Sequence, residues 1–237
     1  MKISAKSKLS EQVVLHLAAE IVSGRLLPGE TIPAEIELVN ERDVSKAVVR
    51  EAIQVLGAVG LITVRHGKRA LVRESGDWNV LHPLVQDAFR QEGRGRELTE
   101  QLYDVRWALE CFVAELGANK ISSKDLERLL ELRDGMDLAH RSQIDVRSFL
   151  DLDKEFHFIL ARASGNLPAF AILKGLSSSA LGDWWKRVSA GDLPLLAEQH
   201  SRIADALAKR DGRAAAEMMS EHLKAGRAVH IIQTDTP

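Results

Sequence analysis

Two neighbouring runs restrict this chain more than anything else in it: Pro28-Gly29-Glu30-Thr31-Ile32-Pro33-Ala34-Glu35, then Val44-Ser45-Lys46-Ala47-Val48-Val49-Arg50-Glu51-Ala52, closed by Gly60-Leu61-Ile62 and His66-Gly67-Lys68. Upstream of them, apolar residues at 9, 13, 14, 17, 18 and 21 repeat with the period of one helical face and Gly24 follows, so the spacing predicts a first helix over Leu9–Val22. Pro28-Gly29 turns the chain. A second helix opens at Pro33-Ala34-Glu35, with proline early, where its missing N–H costs nothing. Asp43 tolerates the left-handed geometry of a turn between helices, Ser45 can cap a third helix running to about Val59, and Gly60 ends it. Leu61–Val64 and Ala70–Val72 are β-prone, and Arg65-His66-Gly67-Lys68-Arg69 joins them as a hairpin with a basic tip. Helix, turn, helix and wing is a way of holding one helix out from a small core.

After Glu74-Ser75-Gly76 the pattern becomes purely helical. Gly93 and Gly95, Asn119 with Ser122-Ser123, Gly165-Asn166 with Pro168, Gly191 with Pro194, and Asp211-Gly212 punctuate it into six or seven helices over residues 77–231. Almost no β-signal remains there, so an antiparallel helical bundle is expected. The fold class is therefore mainly α: a winged helix-turn-helix over residues 1–75 and an all-α bundle over 76–237. The longest apolar stretch, Leu56–Val64, is far too short to span a bilayer, and the first ten residues lack the apolar core of a secretory signal. With Cys111 as its one cysteine the chain cannot form an internal disulfide, and the cytoplasm is the expected compartment. The net charge of −2 is unevenly spread, residues 1–75 carrying +2 and the rest −4. That asymmetry is small, so the placement of basic residues has to carry any case for a nucleic-acid partner.

The third helix supplies such a placement. Its first turn presents Ser45, Lys46, Ala47 and Val48, with Arg50 one turn further, and Lys46 and Arg50 share a face. A helix entering the major groove by its N-terminus uses residues of this kind, Arg as a bidentate partner of guanine and Lys as a point charge on phosphate. On an arbitrary helix the same two residues would be ordinary solvated charges.

The ordered motifs decide between these readings. Pro28-Gly29-x-x-Ile32-Pro33-x-Glu35-x-x-Leu38, Val44-Ser45-Lys46-x-x-Val49-Arg50-Glu51-Ala52, Gly60-Leu61-Ile62 and His66-Gly67-Lys68 resemble the winged helix-turn-helix of the GntR regulators over residues 10–73. The resemblance implies that Lys46 and Arg50 contact DNA beside Ser45 and Ala47, and that His66-Gly67 of the wing enters the minor groove. Two positions depart from the family pattern. Ile36 stands where many members carry Arg, removing one DNA contact, and Lys46 replaces the common Arg after the serine, losing bidentate geometry. A dimer of such modules reads two half-sites related by its own two-fold axis, so a homodimer on a short near-palindromic operator of double-stranded DNA is expected.

In the helical part, four polar residues fall where periodicity places the core. Asp153 and His157 lie on one face in register with Leu150, Leu160 and Ala161; His200 lies in the stripe Leu196-His200-Ile203-Ala204-Leu207; His222 lies in Met218-Met219-His222-Ala225-Val229. A single buried histidine is ordinarily a hydrogen-bonded core residue. Three on separate helices with an aspartate form a ligand set for a divalent first-row metal, with zinc the first choice and nickel or manganese alternatives.

The same residues extend the resemblance. Asp153-x-x-Phe156-His157, Gly165-Asn166, His200-x-x-Ile203-x-x-Ala206-Leu207 and Met219-x-x-His222 are similar to the all-helical FCD effector domain that defines one GntR subfamily. The resemblance implies that Asp153, His157, His200 and His222 hold the ion. It also implies that Arg106 and Asn166 bind an effector, Arg106 matching the arginine placed near the effector carboxylate. Without the resemblance, Arg106 would read as a surface ion pair with Glu110 at i+4. A 2+ ion with one carboxylate keeps a charge of about +1 and Arg106 adds another, which favours a small carboxylate or hydroxy acid. Trp78-Asn79-x-Leu81 resembles regulators of sugar-acid catabolism and tilts the expectation to an aldonate; otherwise Trp78 is a linker residue packing on the bundle. Trp184-Trp185 either line the pocket or belong to the core.

A ligand-responsive transcriptional repressor, not an enzyme, accounts for both halves. Two other classes remain: a metal-dependent hydrolase, with Glu110 or Glu155 as the only evident bases, and a DNA-binding protein whose metal is purely structural.

Overall fold

A computed structural model describes residues 5–65, 67–141, 146–177 and 188–232. The chain forms two compact units, Met1–Leu98 and Thr99–Pro237. In the first unit α1 (Ala5–Val22), α2 (Glu35–Arg42) and α3 (Lys46–Ala58) precede the strands β1 (Ile62–Thr63) and β2 (Leu71–Val72), a 3₁₀ turn (Ser75–Asp77) and α4 (Pro83–Gln91). Leu17, Leu38, Val49, Ala52, Leu56 and Leu61 are fully buried and make its core. The C-terminal cap of α2 is Asp43, left-handed at φ 50°, and Ser45 Oγ accepts from Val48 N at the start of α3. Pro33 lies outside α2, two residues before its first residue, Glu35. Ala34 is the residue that caps α2, its N–H bonded to Glu37 Oε2 at 2.5 Å, because a glutamate three residues inside the helix reaches back to it.

The wing is antiparallel, with Ile62 opposite Val72 and Thr63 opposite Leu71. Residues before α2 add a third edge: Val72 N donates to Glu30 O at 2.9 Å and Ile32 N to Ala70 O at 3.0 Å. Gly60, at φ 79°, leaves room for the backbone of the 3₁₀ turn, since a Cβ there would stand 2.3 Å from Asp77 O. The chain after the wing stays on this unit. Asn79 N donates to Val59 O, Trp78 Nε1 donates to Arg73 O, and α4 packs on α1. Trp78 therefore meets Phe89 of α4, edge-on at 6.4 Å. The compact unit accordingly runs past the sequence boundary at residue 75.

The second unit holds α5, which begins at the end of the first unit (Gly95–Lys120), α6 (Ser123–Arg141), α7 (Val146–Ala163), α8 (Leu167–Ser177), α9 (Leu193–Ala208) and α10 (Gly212–Ile232). No strand occurs among its described residues. Phe149, Phe156, Leu129, Leu132, Met136, Ile203, Leu207 and Met219 fill the interior. α6 packs on both α7 and α9, α8 on α7, and α9 on α10. α5 comes unusually close to α7 at Gly117, where a Cβ would stand 2.8 Å from Leu160 Cδ1 and 3.2 Å from the Leu160 carbonyl. The packing thereby brings one face of α5, α7, α9 and α10 toward a common point.

Candidate functional site

Asp153 and His157 sit one turn apart on α7, His200 on α9 and His222 on α10, and all four are buried. One ligand atom from each lies within 4.8 Å of the others. The imidazole centroids of His200 and His222 are 4.4 Å apart, those of His157 and His222 5.2 Å, and Phe156 stands edge-on to His200 at 5.0 Å. The sequence stripes thus converge as expected.

Each histidine is held by its other nitrogen. Nδ1 of His200 donates to the Leu196 carbonyl at 2.8 Å, and Nδ1 of His222 donates to Gln199 Oε1 at 3.2 Å. Nδ1 of His157 donates to Glu110 Oε2, a carboxylate on α5. A carbonyl and a carboxylate can only accept, so these bonds place a proton on Nδ1 and direct Nε2 inward. Asp153 Oδ1 lies 3.2 Å from His200 Nε2 and 3.7 Å from His157 Nε2. Even so, Asp153 Oδ1, His157 Nε2 and His200 Nε2 are buried atoms that make no hydrogen bond. Orphaned buried polar atoms cost about 1–3 kcal/mol each, and a divalent cation at their centre would satisfy them together. The donor set fits a zinc-type site: imidazole nitrogens plus one carboxylate oxygen, each imidazole backed by a hydrogen-bond acceptor.

The electrostatics of the site are mutual. Burial pushes the Asp153 carboxyl up, but His157 and His200 hold it well below the usual carboxylate range. Burial pulls His157 down, yet Glu110 and Asp153 raise it to about 9. For Glu110 burial acts upward, and His157 and Arg106 overcome it to hold the carboxyl at about 2. Burial and the neighbouring His200 and His157 push His222 well down, so its ring is neutral.

Arg106 lies within the same cluster. Its Nε donates to Glu110 Oε1 at 2.6 Å, and both side chains are largely buried, 14% and 6% exposed. The i+4 pair therefore exists, but as a buried pair at the site rather than on the surface. Asn166 occupies the N-cap of α8, its Oδ1 accepting from Ala169 N at 3.0 Å. Of the two bases weighed for an enzyme, Glu110 is tied to Arg106 and His157, and Glu155 is on the surface, paired with Arg128 at 2.9 Å. Trp184 and Trp185 lie outside the described residues.

In the first unit, Ser45, Lys46, Ala47 and Arg50 are all exposed while Val44, Val48 and Val49 between them are buried. α3 thus turns one polar edge to solvent. Arg50 pairs with Glu35 at 3.1 Å across the turn from α2. In the wing, Gly67 is exposed at φ 70°, beside exposed Arg65, Lys68 and Arg69; His66 lies outside the described residues.

The family model for bacterial regulatory proteins of the gntR family matches residues 9–72, and that for the FCD domain matches residues 101–225. The chain belongs to the GntR family, with an FCD domain. It is 33% identical over 230 residues to the HTH-type transcriptional repressor NanR of Cronobacter sakazakii, covering 92% of this chain and 84% of that one. It is 27% identical to the galactonate operon transcriptional repressor of Escherichia coli K12, covering 87% and 90%. Among solved structures, E. coli McbR/YncC shares the fold at a TM-score of 0.55 and 19% identity, over 99% of this chain and 100% of that one. As a GntR-family member this protein is a DNA-binding transcriptional regulator, not an enzyme. No described helix is long and apolar enough to cross a membrane.

Sequence reasoning missed the part played by Glu110 and Gln199 at the site. Glu110 had a signal, its i+4 spacing from Arg106 on an otherwise apolar face of α5. Gln199 had none, because it adjoins His200 in sequence yet serves His222 on another helix.

Proposed function

We propose that this regulator is a homodimeric repressor of a carboxylate or sugar-acid catabolic operon, released when a small acid anion binds at a divalent metal held by Asp153, His157, His200 and His222. The three unpartnered buried atoms that converge from α7 and α9 carry the metal assignment. Zinc is the first choice, with nickel or manganese as alternatives. The galactonate operon repressor among its relatives supports the sugar-acid class. DNA reading is assigned to the first unit, through Ser45, Lys46, Ala47, Arg50 and the wing tip at His66-Gly67, and effector binding with dimerisation to the second.

The buried Glu110 changes the charge count made from sequence. A 2+ ion with Asp153, Arg106 and Glu110 leaves about +1 rather than +2, which still draws an anion but one of lower charge. A monocarboxylate such as an aldonate fits this better than a dicarboxylate. The test is calorimetry of the zinc-loaded protein against a panel of aldonates and dicarboxylates, with operator DNA release followed in parallel. Binding of an aldonate that frees DNA supports the reading, and a panel that neither binds nor frees DNA overturns it.

A further inference from the structure

We propose that Glu110 is a positioning residue of the metal centre, the carboxylate that fixes the orientation and tautomer of His157 while neutralising Arg106. This rests on the metal reading above. Glu110 reaches His157 from a different helix, 47 positions away in sequence, and uses both oxygens: Oε2 accepts from His157 Nδ1 and Oε1 accepts from Arg106 Nε at 2.6 Å. Its side chain is 6% exposed, so neither bond is exchanged for water at low cost. With Nδ1–H committed to Glu110, His157 can offer only Nε2 to the point where Asp153 Oδ1 and His200 Nε2 also lie.

The other two histidines are backed by neutral groups, the Leu196 carbonyl and the Gln199 amide. His157 alone has an anionic partner behind its Nδ1 among the described residues. A carboxylate behind an imidazole raises its basicity as a ligand, and loss of such a partner typically costs 10–100-fold in metal affinity. Because Arg106 holds the second oxygen, one side chain joins the group implied in anion binding to a ligand of the ion.

Two substitutions separate this role from simple charge neutralisation. Glu110→Gln keeps the shape and an acceptor oxygen but removes the charge. Glu110→Asp keeps the charge beside Arg106 but withdraws the carboxylate from His157 by one methylene. Full-length protein stripped of metal would be titrated with Zn²⁺ against a competing chelator, and the histidine side-chain ¹⁵N spectrum of each zinc-loaded protein recorded. The expected result is a 10–100-fold loss of Zn²⁺ affinity in both variants, with the Nδ1–H signal of His157 altered and those of His200 and His222 retained. A folded Glu110→Asp or Glu110→Gln protein with wild-type Zn²⁺ affinity would overturn the proposal. Wild-type protein that takes up no Zn²⁺, Ni²⁺ or Mn²⁺ would instead overturn the metal reading beneath it.

Discussion

A buried histidine that lacks a partner is an expense unless something completes it, and here two histidines and an aspartate share one deficit. The metal reading therefore makes a direct prediction for single residues. His157→Ala and His200→Ala should each lower metal affinity by more than the 10–100-fold that loss of a ligand's hydrogen-bond partner brings. Binding to the folded state alone adds about 2.7 kcal/mol of stability at a metal concentration a hundredfold above Kd, so zinc should raise the wild-type unfolding midpoint. The double variant should show no such shift. Metal analysis and thermal unfolding with and without zinc decide it, and full metal content in the double variant would end the assignment. On the DNA side, the Arg50 side chain is 61% exposed, and its pair with Glu35 contributes no more than about 1 kcal/mol. Arg50→Ala should leave fold and metal content intact yet cost roughly 1–3 kcal/mol or more in operator affinity, measured by fluorescence anisotropy against a scrambled duplex.

At the level of elements, the ends of helices are the most legible part of the sequence. Asp43, Ser45, Gly60, Gly93, Gly165 and the pair Asp211-Gly212 all sit at the terminus their chemistry suggests, because caps and left-handed residues are local effects. The boundary between α6 and α7 carries a weaker signal, because Ser142-Gln143-Ile144-Asp145 contains neither glycine nor proline and offers only cap-type residues, Ser142 and Asp145. α4 reads only as part of a run of helices, since nothing local says that it packs on α1. The stripes that carry the buried histidines are legible because periodicity alone puts His200 and His222 among apolar neighbours, whereas their hydrogen-bond partners depend on which helices meet. Two glycines with the same backbone sign make an element-level test. At Gly24 (φ 79°) an added Cβ would have nothing within 4 Å, while at Gly60 (φ 79°) it would meet Asp77 O at 2.3 Å. Gly24→Ala should cost about 1 kcal/mol from conformation alone. Gly60→Ala must also displace the 3₁₀ turn, so chemical denaturation should show a loss at least twice as large; equal losses would mean that the turn yields freely.

For the whole molecule the question is whether the helical unit governs the DNA-reading one. A small acid anion that completes the metal coordination and pairs with Arg106 changes DNA affinity only if it binds one arrangement of the dimer better than another. Linkage then demands reciprocity: an effector that weakens operator binding tenfold, about 1.4 kcal/mol, must itself be bound tenfold more weakly in the presence of operator. Arg106 is the residue to change, but the structure shows that truncating it to Ala would strand the buried Glu110 carboxylate and disturb His157 with it. Arg106→Lys is the cleaner variant, because it keeps a positive charge beside Glu110 and removes the planar fork that pairs with a carboxylate. The lysine protein should bind zinc and operator as wild type does and require at least tenfold more effector for release. Titrating an aldonate into zinc-loaded protein with and without operator measures the coupling in both directions, and identical affinities in the two states would mean that the anion site and the recognition helix act independently.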